Sequence, residues 1–305
     1  AKFFAYRVKK TKNVIINTKL IKKDNFKNYY KINEIYNFHE AKKIKPDITF
    51  ICNPSSLHLD TAIKFAKIGS HIFIEKPLGY NKKKISILKK ILKKKKLTSM
   101  IGFQTRFHPA IIYLKKVIKN KKYGKVKYAN FKNLTYLPNH HPYENYSSSY
   151  ASVKKLGGGA LPCLIHEIDL ISYFFGNPTK VCSVSSNSKL IKTEADNNFF
   201  GLFYYKKNDH FFNVYVKLSL SDPIEKRCFT IEFEKKVIEM NLNNNQLIIY
   251  SNKKKPIKKL FSVNRNKLFQ LELIHFKKCL LKKKEPLTSI FKNENTTELF
   301  KKCLN

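Results

Sequence analysis

The chain has 305 residues, 43% of them hydrophobic, and a formal net charge of +40 from 61 Lys+Arg against 21 Asp+Glu, so it is long enough for two sizeable cores. Only four of the basic residues are arginines, Arg7, Arg106, Arg227 and Arg265, whereas specific nucleic-acid readers lean on arginine for bidentate base contacts. The six cysteines are scattered without CxxC spacing, which argues against a zinc site and a disulfide scaffold, and no apolar run approaches the roughly 20 residues that span a bilayer. The lysines lie on nearly every predicted helix and loop beside heavy asparagine and isoleucine use, a bias that AT-rich coding DNA produces with no polyanionic partner. The expectation is a cytoplasmic protein with no specific nucleic-acid partner and no membrane association.

In chain order, Lys2 to Tyr6 reads as a short apolar strand. A helix near Asn33 to Lys45 follows, then the strand Asp47 to Cys52 and the helix Leu59 to Lys67, stopped by Gly69. The strand His71 to Ile74, the helix Lys82 to Lys95 and the strand Thr98 to Phe103 complete an alternation that predicts a doubly wound parallel sheet. From about Gly124 the rhythm changes. A strand at Lys125 to Tyr136, an aromatic polar loop to Leu156 and a helix opened by Gly157-Gly158-Gly159 lead into strand-like segments up to Phe261, which predict a mostly antiparallel sheet. Helices near Lys267 to Lys283 and Thr296 to Leu304 close the chain. The expected domains are 1–120, dinucleotide-binding, and 121–305, for substrate and oligomerisation.

The run Phe73-Ile74-Glu75-Lys76-Pro77-Leu78 puts a Glu-Lys-Pro tripeptide where an apolar strand ends, the edge at which open α/β sheets hold their ligands. The proline rigidifies the turn, and a lysine held there can take the proton of a reacting hydroxyl. A second strand ending, Asn53-Pro54-Ser55-Ser56-Leu57-His58, faces the same crevice; its serines can also cap the helix that follows.

Together with Gly102-Phe103-Gln104-x-Arg106-Phe107-x-Pro109, and with the triple glycine followed by His166-Glu167-x-Asp169, these motifs resemble, in order and over nearly the whole chain, the Gfo/Idh/MocA family of NAD(P)-dependent oxidoreductases. The insert from His140 through Tyr143 to Tyr150 resembles a branch linked to sugars of bacterial surface polysaccharides.

The resemblance implies a Rossmann-type domain, an α/β domain with an open-faced sheet, a homo-oligomer (dimer or tetramer), and hydride exchange between NAD or NADP and a sugar, sugar acid or nucleotide sugar. It implies Lys76 and His166 as catalytic, and Asn53, Pro54, Ser55, His58, Glu75, Lys76 and Gln104 as cofactor-binding. Arg7, after the strand at 2–6, either accommodates an adenosine 2′-phosphate or is one more surface cation. Arg106, Tyr143, Cys163 and Asp169 are placed at the substrate, Asp169 alternatively capping or orienting its helix.

Two departures stand out. The chain contains no GxGxxG, and Lys2 to Tyr6 matches the family's second strand, so the sequence reads as N-terminally incomplete. Three residues before the expected catalytic histidine, where the branch usually carries aspartate, stands Cys163. A noncatalytic sugar-binding or regulatory relative is therefore the alternative.

Overall fold

The computed structural model describes residues 37–140 and 145–304, with the backbone of 14–16 and 33–35. The expected strand at 2–6, Arg7 and Tyr143 lie outside the described residues.

Two short strands, β1 (Val14–Ile16) and β2 (Asn33–Ile35), pair in parallel. The helix expected from Asn33 instead begins at Phe38: Asn37 is extended, and its side chain accepts the Glu40 amide at 2.9 Å, satisfying one of the open N–H groups of α1 (Phe38–Ile44). Next come β3 (Ile48–Ile51), α2 (His58–Lys67), β4 (His71–Ile74), α3 (Lys82–Lys94), β5 (Ser99–Ile101) and α4 (Pro109–Lys119). Strands β3, β4 and β5 form a parallel sheet in that order. Ile72, Phe73, Ile74, Met100 and Ile101 are buried on both of its faces, which is why these strands read as unbroken apolar runs. Helix α2 buries Leu59, Ala62, Phe65 and Ala66, one helical stripe.

The second layer is an eight-stranded sheet made of β6 (Val126–Tyr136), β7 (Lys180–Ser186), β8 (Asn198–Lys207), β9 (His210–Ser219), β10 (Ser221–Phe233), β11 (Val237–Asn241), β12 (Gln246–Ser251) and β13 (Lys254–Leu260). Its order is β13-β12-β11-β10-β6-β9-β8-β7, antiparallel except between β6 and β9. Alternation along β9 buries Phe212, Val214, Val216 and Leu218 and turns Phe211 and Tyr215 out, the period of two that gives a sheet one packed and one open face.

Against the packed face lie the short α5 (Ala160–Cys163) and α6 (His166–Phe175). Phe131 stacks on Phe229 at 4.9 Å, Tyr205 on Phe212 at 4.6 Å, and Phe175 meets Phe212 edge-on at 5.5 Å; such ring pairs add about 0.5–1.5 kcal/mol each beyond burial. This aromatic bed fixes α6, and with it His166.

The closing segment leaves the large sheet. In α7 (Arg265–Leu281), Phe276 packs edge-on against Phe73 of β4 at 5.6 Å. The backbone at Thr288 then runs beside β5, accepting the Ile101 amide at 2.8 Å while the Thr288 hydroxyl donates to the Ile101 carbonyl at 2.7 Å. Helix α8 (Glu294–Lys302) packs on α6. The C-terminal segment thus ties the parallel layer to the helix that carries His166.

Candidate active site

The carboxyl ends of β3, β4 and β5 meet the start of α5 and α6. Lys76 follows β4 directly, and its ammonium donates to the Cys163 carbonyl at 2.7 Å. Helix α5 ends there, so an open carbonyl at a helix C-terminus holds the amine. The Lys76–Pro77 peptide is cis.

His58 ties the two strand ends together. It is 1% exposed, with Nδ1 2.7 Å from the Pro77 carbonyl and Nε2 2.8 Å from that of Asn53. Burial pulls its pKa below the usual histidine value, against those two carbonyls. Both ring nitrogens are thus engaged within the protein, and His58 serves the shape of the two turns. Ser55 fastens the β3 turn to the opposite layer, donating to the Gly157 carbonyl at 3.1 Å. A Cβ on Gly157 would stand 2.1 Å from Ser55 Oγ, and one on Gly158 2.4 Å from the Tyr150 carbonyl. The triple glycine is therefore the surface on which the two layers close.

Asn53 donates through Nδ2 to Thr61 at 2.9 Å. Its Oδ1 and Gln104 Oε1 are buried acceptors without a donor. Pro54 accepts the Leu57 amide through its carbonyl at 2.9 Å and turns the chain into α2. The Glu75 carboxyl lies over β5, its oxygens 3.2–3.3 Å from where a Cβ on Gly102 would stand. Burial raises its pKa, opposed by Lys76 and Arg265.

His166 opens α6, 6% exposed, edge-on to Phe103 at 5.9 Å, with Nδ1 unpartnered. Burial, followed by the charges of Lys76, Arg227 and Arg265, holds it well below the usual histidine range, so the ring is neutral near pH 7 and offers one donor and one acceptor. Burial likewise pushes the Cys163 thiol up, against the nearby Lys76 charge and a hydrogen bond with the Tyr150 hydroxyl. The group in the position expected to hold aspartate is thus a protonated thiol.

Arg106 and Asp169 come together, with each other. Arg106 Nε and Nη2 donate to Asp169 Oδ2 and Oδ1 at 2.9 and 2.6 Å, and Nη2 also donates to Asn293 at 2.6 Å; Thr296 donates to Asp169 at 3.1 Å. The two side chains are 5% and 0% exposed, and they join the turn after β5 to α6 and α8. Of the two readings of Asp169, this geometry supplies the orienting one.

Motif spacing left three groups unassigned. Arg227 donates to Glu167 at 2.7 Å, and Asn133 donates to the other Glu167 oxygen at 2.8 Å, pinning α6 beside His166. Glu272, on α7, is fully buried with both oxygens unpartnered. A glutamate within the otherwise apolar stripe Phe269, Phe276, Cys279 was the signal that could have found it.

Residues 7–103 match the NAD-binding Rossmann-fold domain of the Gfo/Idh/MocA oxidoreductases, and residues 111–238 match that family's C-terminal domain. The chain belongs to the Gfo/Idh/MocA family. Over 250 residues it is 26% identical to scyllo-inositol 2-dehydrogenase (NAD(+)) of Bacillus subtilis, covering 80% of this chain and 70% of that enzyme. It is 32% identical over 145 residues to levoglucosan dehydrogenase of Pseudarthrobacter phenanthrenivorans, covering 46% of this chain and 36% of that one. A solved levoglucosan dehydrogenase in complex with NADH and L-sorbose superposes with a TM-score of 0.82 at 17% identity, over 96% of this chain and 87% of that chain, a likeness of fold. The family's NAD fits what the described residues offer: Asn53 Oδ1 and Gln104 Oε1, at the ends of β3 and β5, are acceptors without donors, and a carboxamide and ribose hydroxyls are donors. Among the described residues no helix is long and apolar enough to cross a membrane, and no cluster of side chains has the makings of a metal site.

Proposed function

We propose that this Gfo/Idh/MocA protein exchanges a hydride between NAD and a hydroxyl-bearing carbon of a sugar, sugar acid or nucleotide sugar. The observation that carries the reading is Lys76, held by the Cys163 carbonyl at 2.7 Å at the end of β4, in the same crevice as the neutral His166. When bound, the nicotinamide supplies the hydride acceptor. Lys76 takes the hydroxyl proton as the neutral amine while the C–H bond breaks, and as the ammonium returns it in the reverse direction. His166, its Nδ1 free, receives or donates a hydrogen bond at the substrate and orients the reacting carbon. Asn53 and Gln104 accept from the cofactor, and Glu75 shapes the floor beside Gly102. The dehydrogenases named above act on cyclic polyols and an anhydrosugar, which supports a ring hydroxyl as the reacting group. A role in surface-polysaccharide sugar synthesis rests on the insert at 140–150.

The domain division at about residue 120 belongs to the same reading, with 265–302 crossing back to brace the parallel layer. So does self-association through the open face of the large sheet, where Tyr128, Val184, Phe200, Leu202, Tyr215 and Lys217 line a shallow groove of about 460 Å³. The test is NADH formation with a panel of inositols, anhydrosugars and nucleotide sugars, on wild type and Lys76→Ala. The variant is expected to lose roughly 10²–10⁴-fold in kcat while binding NAD with little change. Undiminished turnover would remove Lys76 from the mechanism.

A further inference from the structure

Glu272 is the one fully buried carboxyl among the described residues with neither oxygen bonded, and the proposed chemistry does not use it. A buried carboxylate lacking a donor is strongly disfavoured, so the group sits there as the acid, and its O–H then needs an acceptor.

The register of α7 on β4 supplies one. Phe73 and Phe276 pack ring against ring at 5.6 Å. Two residues beyond Phe73, on the same face of the extended chain, comes Glu75. One turn before Phe276, on the same face of the helix, comes Glu272. Leu273 and Leu280 pack on the cluster of Phe73, Met100 and Phe276, and α7 also meets the turn Gln104–Phe107 that follows β5. The helix therefore lies along the strands with Glu272 toward their carboxyl ends. The Glu75 carboxyl lies over Gly102, in the space a side chain there would fill.

We infer that Glu272 is a positioning residue for the catalytic turn: its carboxylic O–H is donated to the Glu75 carboxylate, and the pair holds a single proton beside Lys76. The titratable groups facing this pair are few, and the Cys52 thiol at the end of β3 faces Glu75. Burial drives Glu272 well above the usual carboxylate range, with Glu75 and, from α6, Asp169 adding to it. Lys76 and, from the start of α7, Arg265 act on Glu75 in the opposite sense. Asp169 is already taken by Arg106 and Thr296, which leaves Glu75 as the acceptor. The consequence is one negative charge next to the Lys76 ammonium instead of two, in a fixed direction.

This inference concerns the same site as the proposed function, but its decisive test needs no turnover. Infrared spectra of the purified chain near neutral pH should contain the carbonyl band of a buried protonated carboxylic acid that Glu272→Gln lacks. Glutamine keeps the shape and an N–H donor; leucine keeps neither polar atom. In Glu272→Leu the Glu75 anion loses one donor and keeps the Lys76 backbone N–H, so its infrared titration should move to higher pH, while Glu272→Gln should leave it near the wild-type position. In turnover, Glu272→Leu should lower kcat roughly 10- to 100-fold and move the acid limb of kcat/KM upward, with Glu272→Gln within about threefold of wild type. An absent acid band in the wild type, or a Glu75 titration that Glu272→Leu does not move, overturns the inference. A chain without dehydrogenase activity that keeps the band and the shifted titration would leave it standing and sink the functional reading instead.

Discussion

At the residue scale the site sets the neutral His166 ring, the Cys163 thiol and the Glu75 carboxyl around Lys76. His166 is kept neutral by burial and by the charges of Lys76, Arg227 and Arg265. Cys163 stays a thiol because burial outweighs the Lys76 charge, where the branch that the sequence resembles is expected to carry a carboxylate. Cys163→Asp is expected to raise kcat by roughly tenfold by supplying an acceptor that orients His166 or the substrate, measured as NADH formation. A turnover that stays flat while the variant folds would favour the sugar-binding relative over the weakened enzyme. The sequence could place Lys76 and His166 at a strand end and a helix start because each sits inside a short motif there. Glu272 stood out only as a glutamate in an apolar stripe, since its burial with neither oxygen bonded is invisible until the helix is packed.

Among the elements, two arginine–carboxylate clamps hold α6. Arg106–Asp169 joins the turn after β5 to α6 and α8, and Arg227–Glu167 joins β10 to α6. Of the four arginines, Arg106 and Arg227 are spent on these clamps and Arg265 bears on Glu75; the planar fork suits carboxylates in a way lysine does not, so these positions stand apart from the lysine-rich surface. Removing one partner of a buried pair leaves an uncompensated charge and costs about 3–5 kcal/mol, whereas replacing both by apolar groups is often close to neutral. Arg106→Met alone is thus expected to lower stability by about 3–5 kcal/mol, and the double variant Arg106→Met/Asp169→Leu to recover a large part of it, read by denaturant unfolding. A stable single variant whose KM for substrate rises instead would return Arg106 to the substrate. The sequence placed both residues near the crevice, but their pairing spans 63 positions and no local spacing encodes it.

For the molecule as a whole, the large sheet presents one packed and one open face. On the open face Val184, Phe200 and Tyr215 are 65%, 43% and 44% exposed, and apolar side chains gathered around a groove are what the proposed self-association would bury. The edge strand β13, by contrast, carries Lys254, Lys255, Lys258 and Lys259, all exposed, which discourages strand-to-strand growth. Association is therefore expected face to face. Light scattering should find a dimer or tetramer that Phe200→Glu/Val184→Glu reduces to a monomer; a monomeric wild type at micromolar concentration would end that reading.

What the sequence determined by itself was the alternation of strands and helices in the first layer, the change to an antiparallel sheet near residue 124, and the turns that present Lys76 and the triple glycine, because periodicity, prolines and glycines act on neighbours along the chain. It missed the strand Val14–Ile16 and read its partner Asn33–Ile35 into a helix, since the Asn37 cap and the pairing with β1 compete with helix propensity there. Only the tertiary structure decided which polar groups meet. It turned Arg106 and Asp169 toward each other, committed His58 to two carbonyls, and left Glu272 without a donor, because the free energy of a buried charge is set by what folding brings within a few ångströms of it, whatever its distance along the chain.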